Sequence, residues 1–103
     1  MEPRKVVAAL SALAQETRLG IFRLLVRAGP AGLSAGVIAR ELGVVASTLS
    51  HHLGLLEQAE LVRSARRGRH VIYSCDLDGV RSLVRVLGED LVSAEAGLDC
   101  AAE

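Results

Sequence analysis

The chain has no apolar run near the ~18 to 20 residues that a membrane span requires, although half of its 103 residues are apolar. That argues against a helical membrane anchor and for a soluble, cytoplasmic protein. Its N-terminal stretch, Met1-Glu2-Pro3-Arg4-Lys5-Val6-Val7, is charged but lacks the sustained apolar core and small-residue cleavage site of a secretory signal, so none is expected. There are only two cysteines, Cys75 and Cys100, which do not make a disulfide framework. No nucleophile-base constellation and no phosphate-cradling glycine motif is present, so an enzyme is not expected. At this length the chain reads as one domain, small enough that a partner subunit would add usefully to its stability.

Net charge is also missing: 12 Lys and Arg balance 12 Asp and Glu. The balance hides an asymmetry. Residues 1–88 carry 12 bases against 7 acids, a net +5, whereas residues 89–103 carry no base and the acids Glu89, Asp90, Glu95, Asp99 and Glu103, a net −5. Attraction to phosphate acts locally and is screened beyond roughly 8 Å at physiological salt, so the basic body matters more than the zero sum.

What is present is a run of short amphipathic segments. Val6, Val7, Leu10, Leu13 and Ala14 recur at three- and four-residue steps, predicting a first helix. A second runs from about Glu16 to Ala28, with Leu19, Phe22, Leu25 and Val26 on one face, and Gly29-Pro30 ends it. Ser34 suits the N-cap of a third helix, Ala35 to Leu42, with Val37, Ile38 and Leu42 inward and Gly43 as its left-handed C-cap. After the turn Val44-Val45-Ala46, a fourth helix capped by Ser47 or a neighbour carries Leu49, Leu53 and Leu56 as its buried seam. Two helices joined by so short a turn form a helix-turn-helix.

From Leu61 the period changes to two. Val62 and Ser64, then Val71, Tyr73 and Cys75, alternate around Arg66-Arg67-Gly68-Arg69, which predicts a hairpin whose loop glycine takes positive φ. Asp76 can cap a last helix through about Val92. The first and last helices are more apolar than so small a core needs, which implies that their copies pack together in a homodimer. The expected fold is therefore mostly α with a small β-hairpin (α+β), a winged helix-turn-helix in the order ααααββα over residues 1–92. An acidic, frayed tail over residues 93–103 follows.

These residues resemble the ArsR/SmtB group of bacterial winged-helix repressors over roughly residues 5 to 92. The resemblance rests on Leu13-Ala14-Gln15-Glu16-Thr17-Arg18-Leu19, Ala39-Arg40-Glu41-Leu42-Gly43 and Ser47-Thr48-Leu49-Ser50-His51-His52-Leu53. Leu61-Val62, Arg67-Gly68-Arg69 and Ile72-Tyr73-Ser74 complete it in order. It implies a homodimeric repressor on an inverted-repeat, double-stranded operator, released by an inducer that is often a metal or metalloid ion.

Within that group the chain is similar to an arsenic-resistance branch with an adjacent cysteine pair near the end of the last helix. Here those positions hold Leu91 and Val92. Gly43, Val44 and Val45 stand where an older metalloid motif has cysteines, and residues 77–92 lack the histidine of a zinc-type site. Glu60 replaces the glycine usual after the recognition helix. Positive φ there would cost about 1 kcal/mol, so a different turn is expected.

The candidate DNA-binding residues are Ser47, Thr48, Ser50, His51 and His52 on the fourth helix and Arg66, Arg67, Arg69 and His70 on the wing. Hydroxyls and imidazole suit mixed readout of base edges, and guanidinium groups suit phosphate. The plainer alternatives are a capped, solvated helix face and a charged turn. His52 lies nearer the seam and is either structural or a phosphate contact. Arg18 and Arg40 are either further phosphate contacts or surface ion-pair partners. Cys75 and Cys100 are incidental, ligands for trivalent arsenic or antimony as inducer, or a redox or persulfide sensor. A winged helix that holds a protein partner instead of DNA is the remaining alternative.

Overall fold

A computed structural model of the protein describes the backbone over residues 1–102 and the side chains over residues 1–96. Five α-helices, α1 (Pro3–Leu13), α2 (Glu16–Ala28), α3 (Ala35–Leu42), α4 (Ala46–Gln58) and α5 (Leu77–Ala102), and one 3-10 turn over Gly29–Ala31 accompany a small antiparallel sheet. Its strands are β1 (Leu33–Ser34), β2 (Val62–Arg67) and β3 (His70–Cys75), in the order β1-β3-β2. The winged helix-turn-helix order is as the sequence predicts, with one short strand added.

Local signals set most boundaries. The Gln15 side chain accepts a bond from the Arg18 amide at 2.9 Å at the start of α2, and Gly29 leaves it at φ 74°. Ser34 Oγ accepts from the Val37 amide at 3.4 Å, and Gly43 closes α3 at φ 64°. The hairpin pairs Val62 with Cys75 through Arg67 with His70, and Gly68 turns it at φ 62°.

One core receives all the elements. Ile21, Leu25, Ile38, Leu49, Leu53, Leu56 and Leu61 are almost wholly buried. The first helix differs from its predicted polarity: it turns the small residues Ala9 and Ala12 into the core and leaves Val7 and Leu10 exposed. Small side chains let α1 approach closely, Val6 and Leu13 pack against the edge of the core as their spacing predicts, and Val7 and Leu10 face away.

Several expectations are corrected. The fourth helix starts at Ala46 behind Val45, with no side-chain cap, so Ser47 sits inside its first turn. The strand β1 was not foreseen. Its two residues pair as Leu33 with Tyr73 and Ser34 with Ile72, a partnership that no local alternation could reveal. Gly32 precedes it at φ 67°, where a Cβ would collide with the Tyr73 carbonyl.

Glu60 does adopt positive φ, at 61°, contrary to the expected change of turn. The reason lies in the end of α4. The Leu61 amide donates to the Leu56 carbonyl at 3.1 Å and the Glu60 amide to the Glu57 carbonyl at 3.0 Å, the paired bonds of a Schellman ending. Leu56 and Leu61, both fully buried, supply its apolar contact. That packing holds Glu60 left-handed despite its Cβ, and a surface ion pair to Lys5 at 3.4 Å covers its carboxylate.

The last helix is also longer than expected, continuing through Ala102 instead of ending near Val92. Asp76 starts it by accepting from the Gly79 amide at 3.1 Å. From Val84 to Ala96 every residue but Val86 is exposed, Leu87, Leu91 and Val92 included. No helix of the described residues is long and apolar enough to cross a membrane.

Candidate nucleic-acid interface

The fourth helix buries Leu49, Leu53, Leu56 and His52 and presents Ser47, Thr48, Ser50 and His51 to solvent. At 3.6 residues per turn, Ser47, Ser50 and His51 fall on the face opposite the leucine seam. The helix has no side-chain cap and no acidic residue in its first turn. Its first amides are therefore free to donate, and its dipole favours an anion there. Hydroxyls, an imidazole and open amides together can meet both base edges and phosphate.

His52 is separated from this set. It is only 9% exposed, and its Nδ1 lies 3.3 Å from Arg18 Nη1. Arginine can only donate, so His52 Nδ1 accepts and the ring is the neutral tautomer with its proton on Nε2. Arg18 Nε donates to the Ala12 carbonyl at 2.8 Å. Arg18 thus joins the end of α1 to α4, and it makes no ion pair among the described residues.

Burial, then the charges of Arg18 and His51, push the His52 pKa below its ordinary 6.5. Folding then favours the neutral ring, so this group's stability is complete above about pH 6.5 and declines as the pH falls toward the lowered value. Melting temperatures between about pH 5 and 8 should show the decline, and His52→Gln, which keeps an acceptor for Arg18, should lessen it. An unchanged pH profile in the variant would refute the assignment.

The wing carries its charges on two faces. Successive strand residues point to opposite sides, so Arg66, paired with Val71, faces away from Arg67, Ala65 and Arg63. Val71 and Tyr73 line a cleft of about 640 Å³ with Ser34 and Arg40 of the β1–α3 wall, and Arg69 and His70 complete it. The fold brings Arg40, Arg69 and His70 to one opening, while Arg67 lies toward the other side of the wing. Tyr73 was not foreseen in this cleft, although its alternation with Val71 pointed to a shared face. Burial, and then the Glu57 charge, raise the Tyr73 pKa, so its hydroxyl remains a donor.

The structure does not supply a soft-metal centre among the described residues. Cys75 is half-buried, and burial followed by the Asp76 charge raises its pKa, which disfavours the thiolate. No group of three or more His, Cys, Asp or Glu side chains converges there. The described donors do not fit trivalent arsenic or antimony, and Cys100 lies outside the described side chains.

A family profile described as a helix-turn-helix domain matches residues 13–65. The HTH-type transcriptional regulator YgaV of Escherichia coli (strain K12) is 31% identical over 83 residues, covering 81% of this chain and 82% of that protein. An ArsR-like transcriptional regulator from Rhodococcus sp. RHA1 superposes with a TM-score of 0.77 at 29% identity, covering 96% of this chain and 89% of that one.

The chain belongs to the ArsR family. It is a DNA-binding transcriptional regulator of the winged helix-turn-helix type. Another similar structure is the homodimeric winged helix-turn-helix DNA-binding domain Mb0332 of Mycobacterium bovis, with a TM-score of 0.68 at 27% identity over 93% of this chain and 83% of that one. In this ArsR-family regulator, α3 and α4 form the helix-turn-helix and the β2–β3 hairpin is the wing.

Proposed function

We propose that the protein is a homodimeric repressor whose two recognition helices enter successive major grooves of an inverted-repeat operator. The exposed polar face at the uncapped start of α4 carries this reading. Ser47, Thr48, Ser50 and His51 meet base edges, while Arg66, Arg69 and His70 on the wing, with Arg40 across the cleft, hold phosphates. Arg67, on the opposite side of the wing, is less directly placed for DNA, and His52 holds the helix from within.

The dimer reading is supported by Val7 and Leu10 on α1 and Val84, Leu87 and Leu91 on α5, all large, apolar and exposed. A helix standing clear of its own core gains its stability by packing against something else. The homodimeric neighbour supports a second copy in that role. An effector that alters the packing of these helices would change the separation of the two recognition helices and release the operator.

Retention of the chain's own promoter fragment at low salt, lost steeply as salt rises, is the decisive measurement. Retention of a protein partner with none of DNA would overturn the proposal in favour of an interaction module. For the effector, arsenite or antimonite titrated against the complex is expected to leave it intact, because Cys75 holds its proton and has no described soft partner. Release that disappears in both Cys75→Ser and Cys100→Ser would reverse that expectation and restore the metalloid reading. A persulfide or redox trigger at Cys75 meets the same obstacle, since the thiolate is the reactive form.

A further inference from the structure

On the side of the wing away from the α3 cleft lies a second cavity of about 510 Å³, between the sheet, the end of α2 and the first turns of α5. Val26, Pro30, Leu77 and Val80 make its walls apolar. Arg63 and Arg67 enter from β2 and Arg81 from α5, against a single carboxylate, Asp78. Among the described residues the only ion pair is Lys5 with Glu60, so none of these guanidinium groups is neutralised by a protein acid.

The volume falls within the roughly 300 to 1,000 Å³ of small-molecule pockets, which combine apolar walls with a few polar groups that fix orientation. Three unpaired guanidinium groups around apolar walls select a ligand with both characters. Guanidinium binds carboxylate and sulfonate oxygens in a planar fork, and the walls shelter a hydrocarbon body. Inorganic phosphate would leave the walls wet, and a neutral hydrocarbon would leave the arginines unmatched.

We propose that this cavity is a binding site for a small organic anion, an apolar body carrying one carboxylate or sulfonate, held between Arg63 and Arg67 of the wing and Arg81 of α5. Its occupant would tie the wing to the helix that bears the exposed apolar stripe. Ligand and DNA are then coupled through the position of the wing, and each changes the affinity of the other by the same factor. This regulatory consequence rests on the DNA-binding reading above; the binding of the anion does not.

Anilinonaphthalene sulfonate, an apolar body with one sulfonate, is the probe, titrated into the full chain by fluorescence. Saturable binding of one probe per protomer is expected, weakened at least tenfold in the Arg63→Gln, Arg81→Gln double variant. The uncharged congener phenylnaphthylamine should bind the unaltered chain at least tenfold more weakly. Since Cys75 also lines the cavity, saturating probe should slow its alkylation by iodoacetamide, read at the Cys75 peptide by mass spectrometry.

Equal affinity in the double variant, equal affinity for the neutral congener, or an unprotected Cys75 would each overturn the site. Saturating probe should also shift promoter-fragment affinity at least fivefold, and no shift would overturn the coupling. If the chain retained no DNA even without probe, the DNA reading would fail while the anion titration still stood or fell by itself.

Discussion

Replacing Arg66 and Arg69 together by alanine is expected to weaken promoter binding about a thousandfold at physiological salt. Each phosphate contact adds about 0.9 to the slope of log affinity against log salt. Two contacts per protomer, doubled in the proposed dimer, contribute about 3.6, which amounts to about three decades between 1 M and 0.15 M salt. Both side chains are exposed, so the fold should be undisturbed.

His51→Ala should behave differently. It removes a group expected at a base edge, where one good contact discriminates by about 1 to 3 kcal/mol. The variant should lose preference for the promoter over random DNA while keeping the slope. Anisotropy titrations of both DNAs across a salt series separate the two effects. Equal losses of slope in the two variants would sink the division of labour between wing and helix.

Gly79→Ala should be strongly destabilising. A Cβ on Gly79 would collide with the Glu60 carbonyl oxygen, and the obstacle is backbone that cannot rotate aside. That carbonyl is held in place by the Schellman ending of α4. Gly79 itself is held by its bond to Asp76, and the Asp76 amide donates to the Leu61 carbonyl at 2.9 Å. Both walls of the contact are fixed.

We expect a loss of about 3 kcal/mol or more, at the upper end of overpacking effects. For a domain of this size each kcal/mol moves the melting temperature by about 4 to 8 °C, so the drop should reach about 12 °C. Glu60→Gly should move the opposite way by about 1 kcal/mol, since it relieves a left-handed side chain at the cost of a weak surface ion pair. A Gly79→Ala protein melting within about 2 °C of the unaltered chain would show that the two elements can separate cheaply.

The sequence by itself determined those features whose causes lie within a few residues. Gly29-Pro30 ends α2, Ser34 and Gly43 bound α3, and Gly68 turns the wing, because caps and turns answer to neighbouring amides and carbonyls. The polar start of α4 was legible for the same reason, as helical spacing alone sets it opposite the leucine seam.

Tertiary structure decided the rest. Arg18 and His52 stand 34 residues apart and meet only when α1, α2 and α4 have packed. The strand β1 exists only against β3, and Glu60 is left-handed only because Leu56 and Leu61 are buried together. Register set Arg66 and Arg67 on different faces of the wing, so that an apparently uniform basic run divides between the Val71 and Tyr73 face of the hairpin and a separate cavity. Local chemistry acts through bonds between near neighbours, whereas these contacts depend on which surfaces exclude water together, and distant parts of the chain supply those surfaces.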